Sequence, residues 1–487
     1  MGDDLKSKTV RGLKWTSVDS VAQNVFQVVV MLILANLLEV EDFGVIAVLT
    51  IFVNLANLFQ DSGFGMALTR KKEVTDKEYS SVFYFSLTIS LILYLILFFS
   101  VNLISEFQGR AVPVVLARVL FLTFFVSSFA TVPYVVLSRE VDYRSIAYTN
   151  LFALCISNGI AILLAFLNYG AWAICIQTLL YHTCRVVGLW YFSRWKPLLY
   201  FSFQPLKEMF PIGFKSMLTY VSYTIANNLS SNIIDKNFNR IEAGYYSQAS
   251  RWYNKPILFF TNPINGLSLP VISKVNDDME RQKRIFRKMI RTMSFVVFPL
   301  TFIFALVTPE FVLIFLREKW EAVVPYMQLL CIGGVFVPFD TLLFNLVNSN
   351  AKAGTLFIFS IVKNILVIGS ILISIQYGII TMIIASGVIN YIFFFSLSGY
   401  CCKLLKCSFI EYAKDTFPYF VLSLLLVIVT QWIFRPVTNI YISFLLKGMV
   451  PILLYLAVMY YSKSEIMMEG IGYVNRYIKR KLNNDKG

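Results

Sequence analysis

The stretch EDFGVIA, residues 41–47, returns two hundred residues later as IEAGYYS, residues 241–247, and this pairing sets Gly44 against Gly244. Two further echoes keep the same order. AVPVVLARVLFL at 111–122 matches AVVPYMQLLCIG at 322–333, and NYGAWAI at 168–174 matches QYGIITM at 376–382. The offsets are 200, 211 and 208. Self-similarity that keeps its order over most of a chain marks a duplicated unit.

What is duplicated is a set of membrane spans. Of the 487 residues 57% are hydrophobic and only 15% are charged, a composition of polytopic membrane proteins rather than of soluble domains. A bilayer core of about 30 Å takes roughly 20 apolar residues per helix. That window predicts fourteen spans, near 13–38, 44–69, 80–105, 111–137, 145–167, 170–193, 208–234, 241–270, 289–308, 322–348, 353–375, 378–402, 415–434 and 438–462. The first run is too long for a signal-peptide core and is broken by Asp19, Gln23 and Asn24, so it is expected to span. Each repeat offset corresponds to six spans, an even number, so both copies share one orientation. The fold class expected is therefore an all-α polytopic membrane protein of fourteen transmembrane helices in two pseudo-symmetric six-helix lobes. The lobes are 1–200 and 201–406, two extra C-terminal helices occupy 407–462, and 463–487 is a basic tail.

The net charge of +15 invites a nucleic-acid reading, but its distribution argues against one. Of the 43 Lys and Arg residues, thirty fall in the termini and in the loops on the side of the termini, and six in the loops of the opposite side. That bias places both termini in the cytoplasm. The basic stretch MERQKRIFRKMIRT, 279–292, reads as an amphipathic helix on the anionic leaflet. The seven cysteines form no framework of paired spacings, and the single histidine, His182, excludes metal clusters and catalytic dyads that depend on His. No cofactor and no catalytic residue are expected.

Seven cations remain inside the spans: Arg118, Arg185, Lys215, Arg251, Lys255, Lys363 and Lys447. Arg251 and Lys255 are i and i+4 and share a helix face with Gln248 and Trp252 nearby. If this helix starts near Ile241, Lys255 lies roughly 20 Å below the outer surface at 1.5 Å per residue. A lysine stem of about 6 Å does not recover that depth, so the charges are expected to face water in a cavity between the lobes. Pro256, Pro263, Gly266 and Pro270 predict a kink or break in this helix. Arg118, Arg185 and Lys215 are further candidates for the cavity wall. The intramembrane acids Asp19, Asp61 and Asp340 are read as salt-bridge or ion-coupling residues, and Asp19 or Asp61 pairing with Arg185 or Lys215 is an alternative for those two cations. A surplus of cations calls for an anionic cargo, and a planar guanidinium suits phosphate.

The ordered set NLLEVEDFGVIAVLTIFVNLANLFQDSGFGMALTRKKEVT, TVPYVVLSREVDYRSIA and NYGAWAI, continued by SKVNDDMERQKRIFRKMIRTMSFVVFPL and REKWEAVVPYMQLL, resembles the lipopolysaccharide-biosynthesis flippases. These form the polysaccharide-transporter branch of the multidrug/oligosaccharidyl-lipid/polysaccharide exporter superfamily. The resemblance implies two lobes, the bacterial inner membrane, and export of undecaprenyl-pyrophosphate-linked oligosaccharide by alternating access. Its partners would be that glycan and membrane lipids, with polysaccharide polymerase or export machinery beside them. Related sequences often carry an acid in the seventh span where this chain reads NNLSSNIID, with Asp235 displaced outward. A cation-coupled multidrug exporter and, further off, a membrane glycan polymerase or transferase are the alternatives. The first needs cavity carboxylates, and the second needs a catalytic cluster or a large outer loop.

Overall fold

The computed structural model describes residues 22–61, 68, 74–108, 112–140, 142–207, 230–276, 278–350 and 353–472. Asp19 and Lys215 lie outside these residues, and so does the side chain of Asp61. Among the described residues all regular structure is helical. The principal helices are α1 (Ala22–Leu37), α2 (Val40–Asp61), α3 (Asp76–Gln108), α4 (Val114–Ser128), α5 (Thr131–Arg139), α6 (Tyr143–Phe166) and α7 (Ala171–Ser193). They continue as α8 (Arg240–Ser273), α9 (Met279–Phe311), α10 (Val323–Gly334), α11 (Asp340–Ser349), α12 (Ala353–Ser374), α13 (Ile379–Leu404), α14 (Phe409–Phe434) and α15 (Ile440–Tyr461).

Short polar residues start several of them. Asp142, Asp278, Ser408 and Asn439 each accept a hydrogen bond from a first-turn amide of α6, α9, α14 and α15 respectively, which satisfies donors that a helix start leaves open. Among the described residues eight helices are long and apolar enough to cross a membrane, nine if the bent pair α10–α11 is one span. Neither α7 nor α8, the helices that carry Arg185, Arg251 and Lys255, is among those eight.

Matched local features recur in the segments that the sequence pairs. Among the described glycines, positive φ occurs at Gly170 (55°) and Gly378 (102°), each ending a repeat-matched Asn/Gln-Tyr-Gly and opening a helix. Both helices that begin at the matched Ala111 and Ala322 segments break midway, at Phe129–Ala130 and between Gly334 and Val337, the second with a 45° bend.

The chain divides into two compact units, Met1–Gln248 and Ala249–Gly487. In the first, α6 and α7 form a hairpin joined by a polar bond: Gln177 donates to the Asn158 side chain, which itself donates to Leu154 O of its own helix at 2.7 Å. Near the end of α7, Phe83 packs edge-on to Trp190, Trp195 and Phe129 at 5.6, 5.5 and 6.1 Å. Trp190 Nε1 donates to Phe129 O at 2.8 Å, so the indole is buried without losing its hydrogen bond.

The core of the second unit is built on Phe336, stacked on Phe394 at 4.2 Å and Phe420 at 5.8 Å. Here α9 holds α14 and α15. The basic first half of α9, which the sequence suggested for a lipid surface, pairs four of its six cations with acids of the protein. Arg287 pairs with Asp415 at 2.6 Å and Glu411 at 2.9 Å, Lys288 with Glu469 at 2.7 Å, and Arg291 with Glu465. The acids come from α14 and from the segment after α15, more than a hundred residues on, so no local pattern announces them. Deeper in the unit, Lys447 of α15 donates to Glu310 of α9 at 2.6 Å, where Ser443 adds a bond at 2.7 Å. Removing one partner of a buried pair strands the other, at a cost of about 3–5 kcal/mol. Glu310→Ala is therefore expected to lower the thermal unfolding midpoint in detergent, and Glu310→Met/Lys447→Met to recover most of the loss.

Candidate functional site

Helix α8 runs unbroken from Arg240 to Ser273, through Pro256 and Pro263, so of the kink or break that the sequence predicted there the break is absent. One proline removes one hydrogen bond and crowds one carbonyl, about 3 kcal/mol, which a helix anchored along its length absorbs. The anchors face one way. Tyr253 donates to Gly334 O at 2.5 Å, and Tyr253 and Ile257 are buried with Ala305 and Cys331. At 100° per residue, the opposite face holds Gly244, Gln248, Arg251 and Lys255.

Arg251 and Lys255 are partly exposed. Among the described residues no carboxylate pairs with Arg251, and no side chain or carbonyl hydrogen-bonds it. Gln248 is 1% exposed, and both atoms of its amide lack partners among the described residues. Trp252 holds its ring edge-on to Phe311 at 5.1 Å, with Nε1 unpartnered among the described residues. A buried polar group without a partner costs about 1–3 kcal/mol. Three neighbouring residues of one helix thus carry unused donors: a guanidinium, an amide and an indole N–H.

The other predicted cations are placed differently. Arg118 lies over the Phe98 ring at 4.1 Å and donates to Phe98 O at 3.4 Å. Arg185 donates to Asn150 Oδ1 at 3.2 Å and sits 5.4 Å from the Tyr134 ring centroid, with no carboxylate partner among the described residues. Asp340 is paired with Lys363 at 2.6 Å, the salt bridge that the sequence left open, and Lys363 also lies over Phe393 at 4.4 Å.

At its N-terminal end α8 meets α2, inside the first unit. A Cβ at Gly44 would overlap the Arg240 carbonyl, and one at Gly244 would overlap the Val40 carbonyl. Residues 40 and 44 are separated from 240 and 244 by the same two hundred positions. The contact is therefore reciprocal, each glycine receiving the carbonyl one turn before the other. Around it, Gln108 donates to Asn232 Oδ1 at 2.8 Å in a buried pair, and Arg240 lies 3.6 Å from the fully buried Asp235. Asp42 accepts from the amide of Ala171 at 2.8 Å, capping α7, and burial pushes its carboxyl up against the pull of that bond. Asp42→Ala should cost about 0.5–2 kcal/mol of stability, the usual loss of a cap, read as a lower unfolding midpoint. Sequence reasoning paired Gly44 with Gly244 as equivalents but did not see them as neighbours. Paired glycines mark where helices approach closely.

Residues 33–325 match the model of a family described as polysaccharide biosynthesis protein. The teichuronic acid biosynthesis protein TuaB of Bacillus subtilis strain 168 is 21% identical over 68% of this chain and 69% of its own. The lipopolysaccharide biosynthesis protein WzxC of Escherichia coli K12 is 22% identical over 76% of this chain and 75% of its own. Among solved structures, the lipid II flippase MurJ in an inward closed conformation superposes with a TM-score of 0.76 at 18% identity, over 92% of this chain and 99% of that one. That likeness concerns the fold.

Proposed function

The chain belongs to the polysaccharide biosynthesis protein family, and we propose that it is a flippase for undecaprenyl-pyrophosphate-linked oligosaccharide in the bacterial inner membrane. It would work by alternating access with fourteen spans, two lobes (1–200 and 201–406) and cytoplasmic termini. The observation that carries this reading is Arg251 on the outward face of α8, with no carboxylate paired to it among the described residues. Arg251 offers a planar fork for two phosphate oxygens, Lys255 a point charge one turn deeper, and Gln248 and Trp252 the donors that now lack acceptors. Pyrophosphate would satisfy the Arg251, Gln248 and Trp252 donors and be attracted by the Lys255 charge. The glycan would travel in water and the prenyl chain in lipid. Arg185, Arg118 and Lys215 are secondary contacts in this scheme.

The same face of α8 carries Gly244, about 10 Å above Arg251 at 1.5 Å per residue. The α2–α8 crossing would then be the outer closure over the headgroup site, and it must part for the cargo to leave. A cation-coupled drug exporter would need acids on this face, whereas the one acid of α8, Glu242, projects from the opposite side of its first turn. A flippase-deficient strain supplied with this chain and its cognate glycan pathway is expected to regain surface polysaccharide. Restored drug resistance without polysaccharide would point to the exporter instead.

A further inference from the structure

The segment WKPLLYFSFQPLK, 195–207, follows α7 and has no part in the transport scheme above. Its ends are plugs. Trp195 and Leu206 are buried in a cluster with Leu68, Val82, Phe83, Val132 and Val135. Between the plugs the pattern inverts: Leu198, Leu199, Tyr200, Phe201 and Phe203 are all exposed, Leu199 by 99% and Phe203 by 70%. The outward side chains are not the result of a loose loop. The Leu198 amide donates to Ser80 Oγ at 2.9 Å and the Ser202 amide to Ser81 Oγ at 3.1 Å, pinning the backbone to the start of α3. The Phe201 and Phe203 rings pack on each other at 4.8 Å rather than inward.

A pinned backbone that displays five large apolar side chains needs an apolar neighbour, because each loses free energy in water. Two observations identify that neighbour as lipid. The patch continues from the exposed side chains Val187, Tyr191 and Phe192 on the last turns of α7. It is also ringed by the exposed cations Lys77, Arg194, Lys196 and Lys207, with Lys77 5.1 Å from the Tyr200 ring centroid. The acids beside it are Asp76 and Glu78, and Glu78 is occupied by the Thr75 amide at 2.9 Å.

We propose that residues 194–207 are an interfacial anchor, seating Leu199, Tyr200 and Phe203 at the headgroup–acyl boundary of the leaflet on the basic side and selecting anionic phospholipid. Aromatic rings and lysine stems with charged ends suit that boundary, where one end is apolar and the other wet. The proposal is independent of the cargo, since it concerns bulk lipid.

The test uses the full chain with photoreactive benzoylphenylalanine in place of Leu199, in nanodiscs of phosphatidylethanolamine with or without phosphatidylglycerol. Lipid adducts are expected in both, with severalfold enrichment of phosphatidylglycerol over its share of the bilayer. Lys196→Gln/Lys207→Gln should remove the enrichment and leave the adducts. No lipid adduct at 199, or cross-links that go to protein when the same variant is irradiated in native membranes, would overturn the anchor. Adducts that ignore phosphatidylglycerol would overturn the anionic preference.

Discussion

Arg251→Ala/Lys255→Ala is expected to abolish polysaccharide export while leaving the protein folded and at normal abundance in the membrane. Both side chains are partly exposed and on the face of α8 away from its anchors, so their loss removes charge without opening a cavity in the core. Truncating one member of a desolvated charge pair typically costs about 2–5 kcal/mol, and about 1.4 kcal/mol is tenfold in affinity. Each single alanine variant should therefore weaken headgroup binding at least tenfold, and the double variant should not complement a flippase-deficient strain. Arg251→Lys keeps the charge but loses the planar fork, and should retain part of the function. Normal surface polysaccharide from the double variant would remove α8 from the headgroup site.

Gly244→Leu is expected to be the most damaging single substitution away from the cations. A Cβ at 244 already overlaps the Val40 carbonyl, which is backbone and cannot rotate away. A leucine there must push α2 and α8 apart. Overpacking of this kind costs about 1–3 kcal/mol, taken here from the closed state of the outer crossing. Export should fall at least tenfold while undecaprenyl pyrophosphate still binds, because Arg251 and Lys255 are untouched. Gly44→Leu should do the same, since a Cβ at 44 overlaps the Arg240 carbonyl. Gly399→Ala, with nothing within 4 Å of the added Cβ, should be silent and serves as the control. Wild-type export by Gly244→Leu would rule out the crossing as a closure.

The matched glycines were legible because glycine leaves a mark that composition cannot hide. Gly170 and Gly378 need positive φ, and Gly44 and Gly244 need the absence of a side chain. The partners of charged residues were not legible. Lys363 follows Asp340 by 23 residues and Lys447 follows Glu310 by 137, and no local spacing links residues on separate helices. The basic start of α9 showed the same blindness more sharply. Its amphipathic pattern fits a lipid surface, but Glu411, Asp415, Glu465 and Glu469 reach it first. The unbroken α8 is the converse case. Its prolines were visible in the sequence, while the packing that holds the helix continuous through them, such as Tyr253 on Gly334, was not. Depth and spacing alone identified Arg251, whose isolation from every described carboxylate needed the structure.

The central claim is that the cation face of α8 receives a pyrophosphate. Native mass spectrometry of the purified full chain with undecaprenyl pyrophosphate, undecaprenyl phosphate and undecaprenol measures this directly. The wild type is expected to retain the pyrophosphate at least tenfold more tightly than the alcohol, with the monophosphate between them, and Arg251→Gln/Lys255→Gln should bind all three alike. Equal binding of the three by the wild type, or an unchanged preference in the double variant, would contradict the account.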